Sequence, residues 1–161
     1  MCIVPKKKSS GKFEEVIGKV PEPDLNIYGL GVVESGIRNL VSVLWKRKYL
    51  TVCSCAGHLG ALEPLPWVAI LIDKSDPCHL LRLFSAIGRF NLSLGKNGRL
   101  PRPDDIWVLA PQMTVAGLAV YLRPHFLNEK NSQKEIDRLR QLGEKLASFM
   151  EEKCEDIFPP C

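Results

Sequence analysis

The sequence lacks most of the features that would classify it at a glance. No apolar run approaches the ~20 residues of a membrane helix; the longest, Trp67 to Ile72, is strand-sized. The opening MCIVPKKKSSGKF passes from a few apolar residues straight into a basic run, without the apolar core of a secretory leader. Cysteine is sparse, 6 in 161 residues, too few for a disulfide-built scaffold, and no C-x-x-C knuckle occurs. These absences point to a cytoplasmic protein, away from the membrane, with its thiols free or metal-bound. Charge of one sign is also scarce. The 22 basic and 18 acidic residues leave a net +4, which permits an anionic partner without demanding one. Glycine and proline, 12 each, lie near background and exclude collagen-like and low-complexity chains. Gly29 and Gly31 in YGLGVVESG lack the later glycine of a dinucleotide turn and follow no clear strand.

What is present suits one domain. A chain of 161 residues that is 45% hydrophobic can bury a core without staples. Residues 1–12, with Lys6, Lys7, Lys8 and Lys12, read as a basic mobile tail, and residues 13–161 as a single domain. Phe13 to Val20 suits a short strand or a helical turn before the breakers Pro21 and Pro23. The spacing of Ile37, Leu40, Val41 and Leu44 predicts a helix over Ser35–Arg47. Tyr49–Cys55 reads as a strand, Ala56–Pro66 as a loop, and Trp67–Asp73 as a central strand, apolar on both faces. Asp76 or Ser75 caps a second helix with Pro77 in its first turn, Leu80, Leu81, Phe84 and Ile87 as its buried face and Gly88 as its stop. Residues 89–104 read as a basic loop, with room for a short strand at Phe90–Leu94. Strands follow at Ile106–Ala110 and Leu118–Leu122 around a turn at Pro111–Gly117. Ser132 and Glu135 form a capping box for a last helix with Ile136, Leu139, Leu142, Leu146 and Met150 inward. The order α-β-β-α-β-β-α predicts an α+β fold, helices packed on a mostly antiparallel sheet of four or more strands.

One motif carries chemistry. In TVCSCAGH, residues 51–58, a strand ends in a turn through Ala56 and Gly57. Strand alternation puts Cys53 and Cys55 on one face and Ser54 on the other, and His58 follows the turn. Several readings stand side by side. Cys53 and Cys55 serve as small buried hydrophobes, with His58 on the surface. Alternatively, Cys53, Cys55 and His58 bind a metal with Cys78 and His79. That set has poor zinc spacing, and a helical Cys78–His79 pair diverges by about 100°, so no structural zinc is expected. A third reading makes Cys55 a nucleophile activated by His58, although no acidic orienter lies nearby in sequence. The fourth is a binding turn, in which the amides of residues 55–58 cradle an anionic or polar group. The site expected from these residues is a ligand pocket of Ser54, Cys55, Gly57 and His58; no residue is assigned a catalytic role.

A helix, then S-C-x-G-H, then a Pro-Trp-Val strand resembles small prokaryotic proteins with an SCxGH signature. More remotely, residues 35–73 are similar to the tRNA wybutosine-synthesis methyltransferase family. That family carries S-C-S-G-R after a strand preceded by a helix; Ser54, Cys55 and Gly57 match it, with Thr51 upstream. His58 stands where the family has arginine and Ala56 where it has a second serine; Asp73 to Ser75 lies where a histidine is expected. The resemblance implies an α+β module using S-adenosylmethionine on tRNA. The alternative class is a non-catalytic binding or interaction protein, with a metal as one candidate ligand. Arg89, Lys96, Arg99 and Arg102, with Phe90 nearby, form the candidate nucleic-acid contact; a solvated loop accounts for the same charges.

Overall fold

The computed structural model describes residues 33–61, 64–72, 76–95, 99–114, 117–125 and 132–152. The expected tail at 1–12, the segment at Phe13–Val20 and the turn of Lys96 lie outside these residues. Helix α1 spans Ser35–Lys46 and buries Ile37, Leu40, Val41 and Leu44, the predicted stripe, together with Val43 and Trp45. Lys48, at φ 64°, turns the chain back on itself, and the Tyr49 amide donates to the Leu44 carbonyl at 2.8 Å. Strand β1, Thr51–Cys55, follows at once. The Trp45 indole N–H donates to Thr51 Oγ1 at 2.7 Å, so the end of the helix fixes the start of the strand.

Strands β1, β2 (Trp67–Leu71), β3 (Trp107–Thr114) and β4 (Gly117–Pro124) form one antiparallel sheet in the order β1-β2-β4-β3. The interior position of β2 explains its apolar sequence. Val68 and Ile70 face the helices alongside Val120 and Leu122. Trp67 and Ala69 lie on the opposite face with Val52, Cys53, Cys55 and Tyr121. The Trp67 and Tyr121 rings meet there at 5.1 Å. The α+β class and the α-β-β-α-β-β-α order are as predicted.

Helix α2, Pro77–Ser93, departs from expectation. Asp76 caps it as predicted, accepting from the Cys78 amide at 3.0 Å. The helix nevertheless continues through Gly88, so the loop and short strand expected from Arg89 onward are wrong. A glycine inside a helix costs about 1 kcal/mol relative to alanine, and burial of Phe90 two residues further on outweighs that. The buried face is also rotated from the predicted one. Leu83, Ala86, Ile87 and Phe90 are buried, whereas Leu81 and Phe84 are 67% and 50% exposed. The stripe that reaches Phe90 is longer than the one truncated at Gly88, and its burial sets the register. Asn91 then joins helix to sheet: its Nδ2 donates to the Trp107 carbonyl at 2.8 Å and its Oδ1 accepts from the Trp107 amide at 2.9 Å.

A short 3₁₀ turn at Pro103–Asp105 leads into β3. Strand β3 runs through Pro111, which pairs with Val120, so the turn expected at Pro111–Gly117 is narrower than predicted. Proline is tolerated because β3 is an edge strand. Helix α3, Gln133–Glu152, begins as predicted with Ser132 Oγ accepting from the Glu135 amide at 3.2 Å. It buries Ile136, Leu139, Leu142, Leu146 and Met150. Its far end is tied to α1 by Lys46–Glu151 at 3.1 Å and by Arg47 Nη2 donating to the Met150 carbonyl at 2.7 Å. Among the described residues no helix is long and apolar enough to cross a membrane.

The register of α2 has a direct test in urea unfolding. Leu83→Ala removes a side chain that is 1% exposed and should cost about 2–5 kcal/mol, whereas Leu81→Ala should stay within about 0.5 kcal/mol of the wild type. Equal costs would put the predicted face back in the core.

Candidate functional site

The SCAGH turn is fixed by two side chains that come from elsewhere in the chain. Glu34 precedes α1 in an extended conformation, and its side chain makes no capping bond to its own helix. Its carboxylate reaches across to the turn instead. Oε2 accepts from the Ala56 amide at 2.5 Å, and Oε1 lies 2.7 Å from His58 Nε2. On the other side, Arg140 of α3 donates from Nε to the Ala56 carbonyl at 2.8 Å and from Nη2 to the Gly57 carbonyl at 2.6 Å. Asp137, one helical turn earlier, holds the guanidinium at 3.1 Å. One peptide segment is thereby bonded at its amide by an anion and at its carbonyls by a cation. Charge-assisted bonds of this kind are roughly twice as strong as neutral ones.

Two glycines permit the arrangement. Gly57 has φ 85°, and a Cβ there would lie 2.7 Å from the Pro64 carbonyl oxygen and 2.9 Å from Pro66 N. The turn therefore requires glycine for both its conformation and its contact with the 64–66 backbone. At Gly36, a Cβ would lie 3.1 Å from Arg140 Cδ and 3.2 Å from Ala56 Cβ. The missing side chain leaves the path along which Arg140 reaches the turn.

Cys55 Sγ accepts from the Gly57 amide at 3.3 Å. Glu34, Cys55 and His58 consequently bring a carboxylate oxygen, a thiol sulfur and an imidazole nitrogen within 4.8 Å of one another. Cys55 is half-buried against the outer sheet cluster, whereas the Glu34 and His58 side chains are 42% and 52% exposed. The group opens to solvent on one side. Burial alone raises the Glu34 carboxyl pKa, but the Ala56 amide and the His58 hydrogen bond and charge outweigh it and leave the carboxyl below its ordinary value.

Of the residues expected at the site, Cys55, Gly57 and His58 come together. Ser54 pairs with Val68 within the strand and by alternation points to the other face. The anion cradle needs correction: the Ala56 and Gly57 amides already donate to Glu34 and Cys55, so the nest is filled by the protein's own carboxylate and sulfur. The expected free Cys78 is disulfide-bonded, and His79 is buried with its ring stacked on Tyr49 at 4.1 Å, so this pair offers the turn no ligands. The basic set is not one loop. Arg89 projects from α2, while Arg99 and Arg102 precede the 3₁₀ turn, Arg102 lying 3.7 Å from Asp104. Sequence reasoning missed Glu34 and Arg140. Glu34 has the signal of a helix-start residue, and Arg140 that of a solvated helix face; neither position announces a contact with residue 56.

No protein-family model, curated protein or solved structure matches the chain.

Gly57→Ala should destabilise the fold by roughly 2–5 kcal/mol, combining the cost of positive φ with that of overpacking against backbone; thermal and denaturant melts measure it. A second prediction follows from Glu34. Its folded pKa is depressed, so its stabilisation is full above the ordinary value of about 4.5 and is lost as pH falls through the lower folded value. Melting temperature should therefore drop more steeply below about pH 4.5 in the wild type than in Glu34→Gln. Half-exposure of the pair keeps the difference small, and parallel pH curves would remove Glu34 from the account.

Proposed function

We propose that this chain is a small non-catalytic binding domain whose working part is the SCAGH turn, and that it engages its ligand through the side chains of Cys55, His58 and Glu34. One observation carries the reading. The turn's inner amides and carbonyls are consumed by Glu34, Cys55 and Arg140, while three chemically distinct donor groups converge at a mouth open to solvent. Such a turn recognises by side-chain donors and not by a backbone nest. The tRNA-methyltransferase reading rests on Ser54, Cys55 and Gly57. It draws less support from the geometry, because a cofactor carboxylate or a phosphate has no free amide at Ala56 or Gly57 to meet.

His58→Ala should leave the melting temperature within about 0.5 kcal/mol of the wild type in stability terms, because an imidazole this exposed adds little to a core. NMR titrations with Zn²⁺, with S-adenosylmethionine and with total tRNA test the reading. At least one should move the His58 ring and the Cys55–His58 amides in the wild type and fail to do so in His58→Ala. If all three leave those resonances unmoved, or if His58→Ala melts far below the wild type, the turn is packing and nothing more.

A further inference from the structure

We propose that Glu34, Cys55 and His58 form a three-ligand site for a divalent transition-metal ion of the zinc class, with one coordination position left to solvent or to a co-ligand. The inference rests on the reading of the SCAGH turn as a side-chain binding site and names what that site takes.

The donor set selects the ion. A thiolate with an imidazole and a single carboxylate suits zinc and its borderline neighbours, and disfavours magnesium and calcium, which take oxygen cages. The dimensions suit it also. Zinc bonds of about 2.0–2.1 Å to nitrogen or oxygen and about 2.3 Å to sulfur put tetrahedral ligand atoms roughly 3.3–3.6 Å apart. The three donor atoms already lie within 4.8 Å of one another. The 2.7 Å contact between Glu34 and His58 must open by several tenths of an ångström to admit an ion. The His58 side chain, 52% exposed, can swing by that amount while Glu34 stays on the Ala56 amide.

The surroundings are those of a metal site as well as a turn. Glu34 uses only Oε1 toward His58; Oε2 stays on the Ala56 amide at 2.5 Å and orients the carboxylate as an outer-shell partner does. The Gly57 N–H aimed at Cys55 Sγ stabilises a thiolate more than a thiol. Arg140 holds the peptide that joins these ligands from behind. Binding loses the Cys55 thiol proton to solvent as the sulfur–metal bond forms. Three protein ligands and an open position are the arrangement of exchangeable and reactive zinc sites, not of closed structural ones. The ion is accordingly not needed to fold the chain, whose core lies on the opposite face of the sheet.

The test uses the full chain, with free thiols at Cys53 and Cys55 verified by thiol titration, and titrates it with Co²⁺ and Zn²⁺ by absorption and calorimetry. The proposal expects one ion per chain, a thiolate-to-cobalt charge-transfer band abolished by Zn²⁺ but not by excess Mg²⁺, and proton release on binding. Cys55→Ser removes the band. His58→Ala and Glu34→Gln each weaken Zn²⁺ binding at least tenfold, on the order of the loss seen when metal-site partners are removed. Cys53→Ser changes neither band nor affinity. His58→Cys restores binding with a stronger charge-transfer band, which keeps the test valid if another variant folds poorly. A band that survives Cys55→Ser, or binding indifferent to His58 and Glu34, overturns the proposal. So does the absence of saturable binding at millimolar ion. In that last case, tRNA or S-adenosylmethionine shifting the His58 ring retains the binding turn while discarding the metal, and no response to any of them discards both.

Discussion

The bond from the Ala56 amide to the Glu34 carboxylate organises the SCAGH end of this protein. It joins the start of α1 to the end of β1 across a gap of 22 residues in sequence, and it sets where His58 stands, because the same carboxylate holds the imidazole. Arg140 completes the constraint from α3 by taking the carbonyls of Ala56 and Gly57. Helix, strand end and distant helix therefore meet at one peptide segment. Removing the carboxylate would leave a half-buried amide without an acceptor, a position disfavoured by about 1–3 kcal/mol when water cannot replace the partner.

The fold was legible in the sequence to the extent that periodicity and capping determined it. Ile37, Leu40, Val41 and Leu44 marked α1, and Ser132 with Glu135 marked the start of α3, because those signals are local. Trp67 to Ile70 betrayed an interior strand by being apolar on both faces. Gly88 and Pro111 misled for the same reason. Each is a strong local breaker, and each was overridden by something distant: Phe90 finding the core in one case, and an outer edge with no ladder to lose in the other. The half of the site supplied by residues 55–58 was visible as a strand that stops in small polar residues. Glu34 and Arg140 were not, since the contacts that define their roles span 22 to 84 residues, and no spacing rule encodes them.

The Cys55 sulfur and the main core lie on opposite faces of the sheet, although Ala56, at the centre of the turn, belongs to the main core. The main core lies on the face of Val68, Ile70, Val120 and Leu122. Cys53 and Cys55 belong to the smaller cluster on the other face, beside Trp67 and Tyr121. A substitution at Cys55 is thus decoupled from most of the buried apolar surface. The side chain there can vary while the folding energy, which resides mainly in the helical layer, is held nearly constant. Gly57 is the exception, because the backbone at 64–66 leaves no room for change.

The pairing of Asn91 with Trp107 has a consequence for the behaviour of the protein in a crowded solution. An edge strand ordinarily offers a row of unmet amides and carbonyls that a second chain can adopt as its own sheet partner. On β3, the Asn91 side chain occupies both backbone groups of Trp107. Four residues on, with the same strand orientation, Pro111 has no amide to offer. Of three successive outward positions, only Leu109 retains both groups for a newcomer. Strand addition along β3 is in this way hindered at Trp107 and Pro111 by one borrowed side-chain amide and one missing hydrogen.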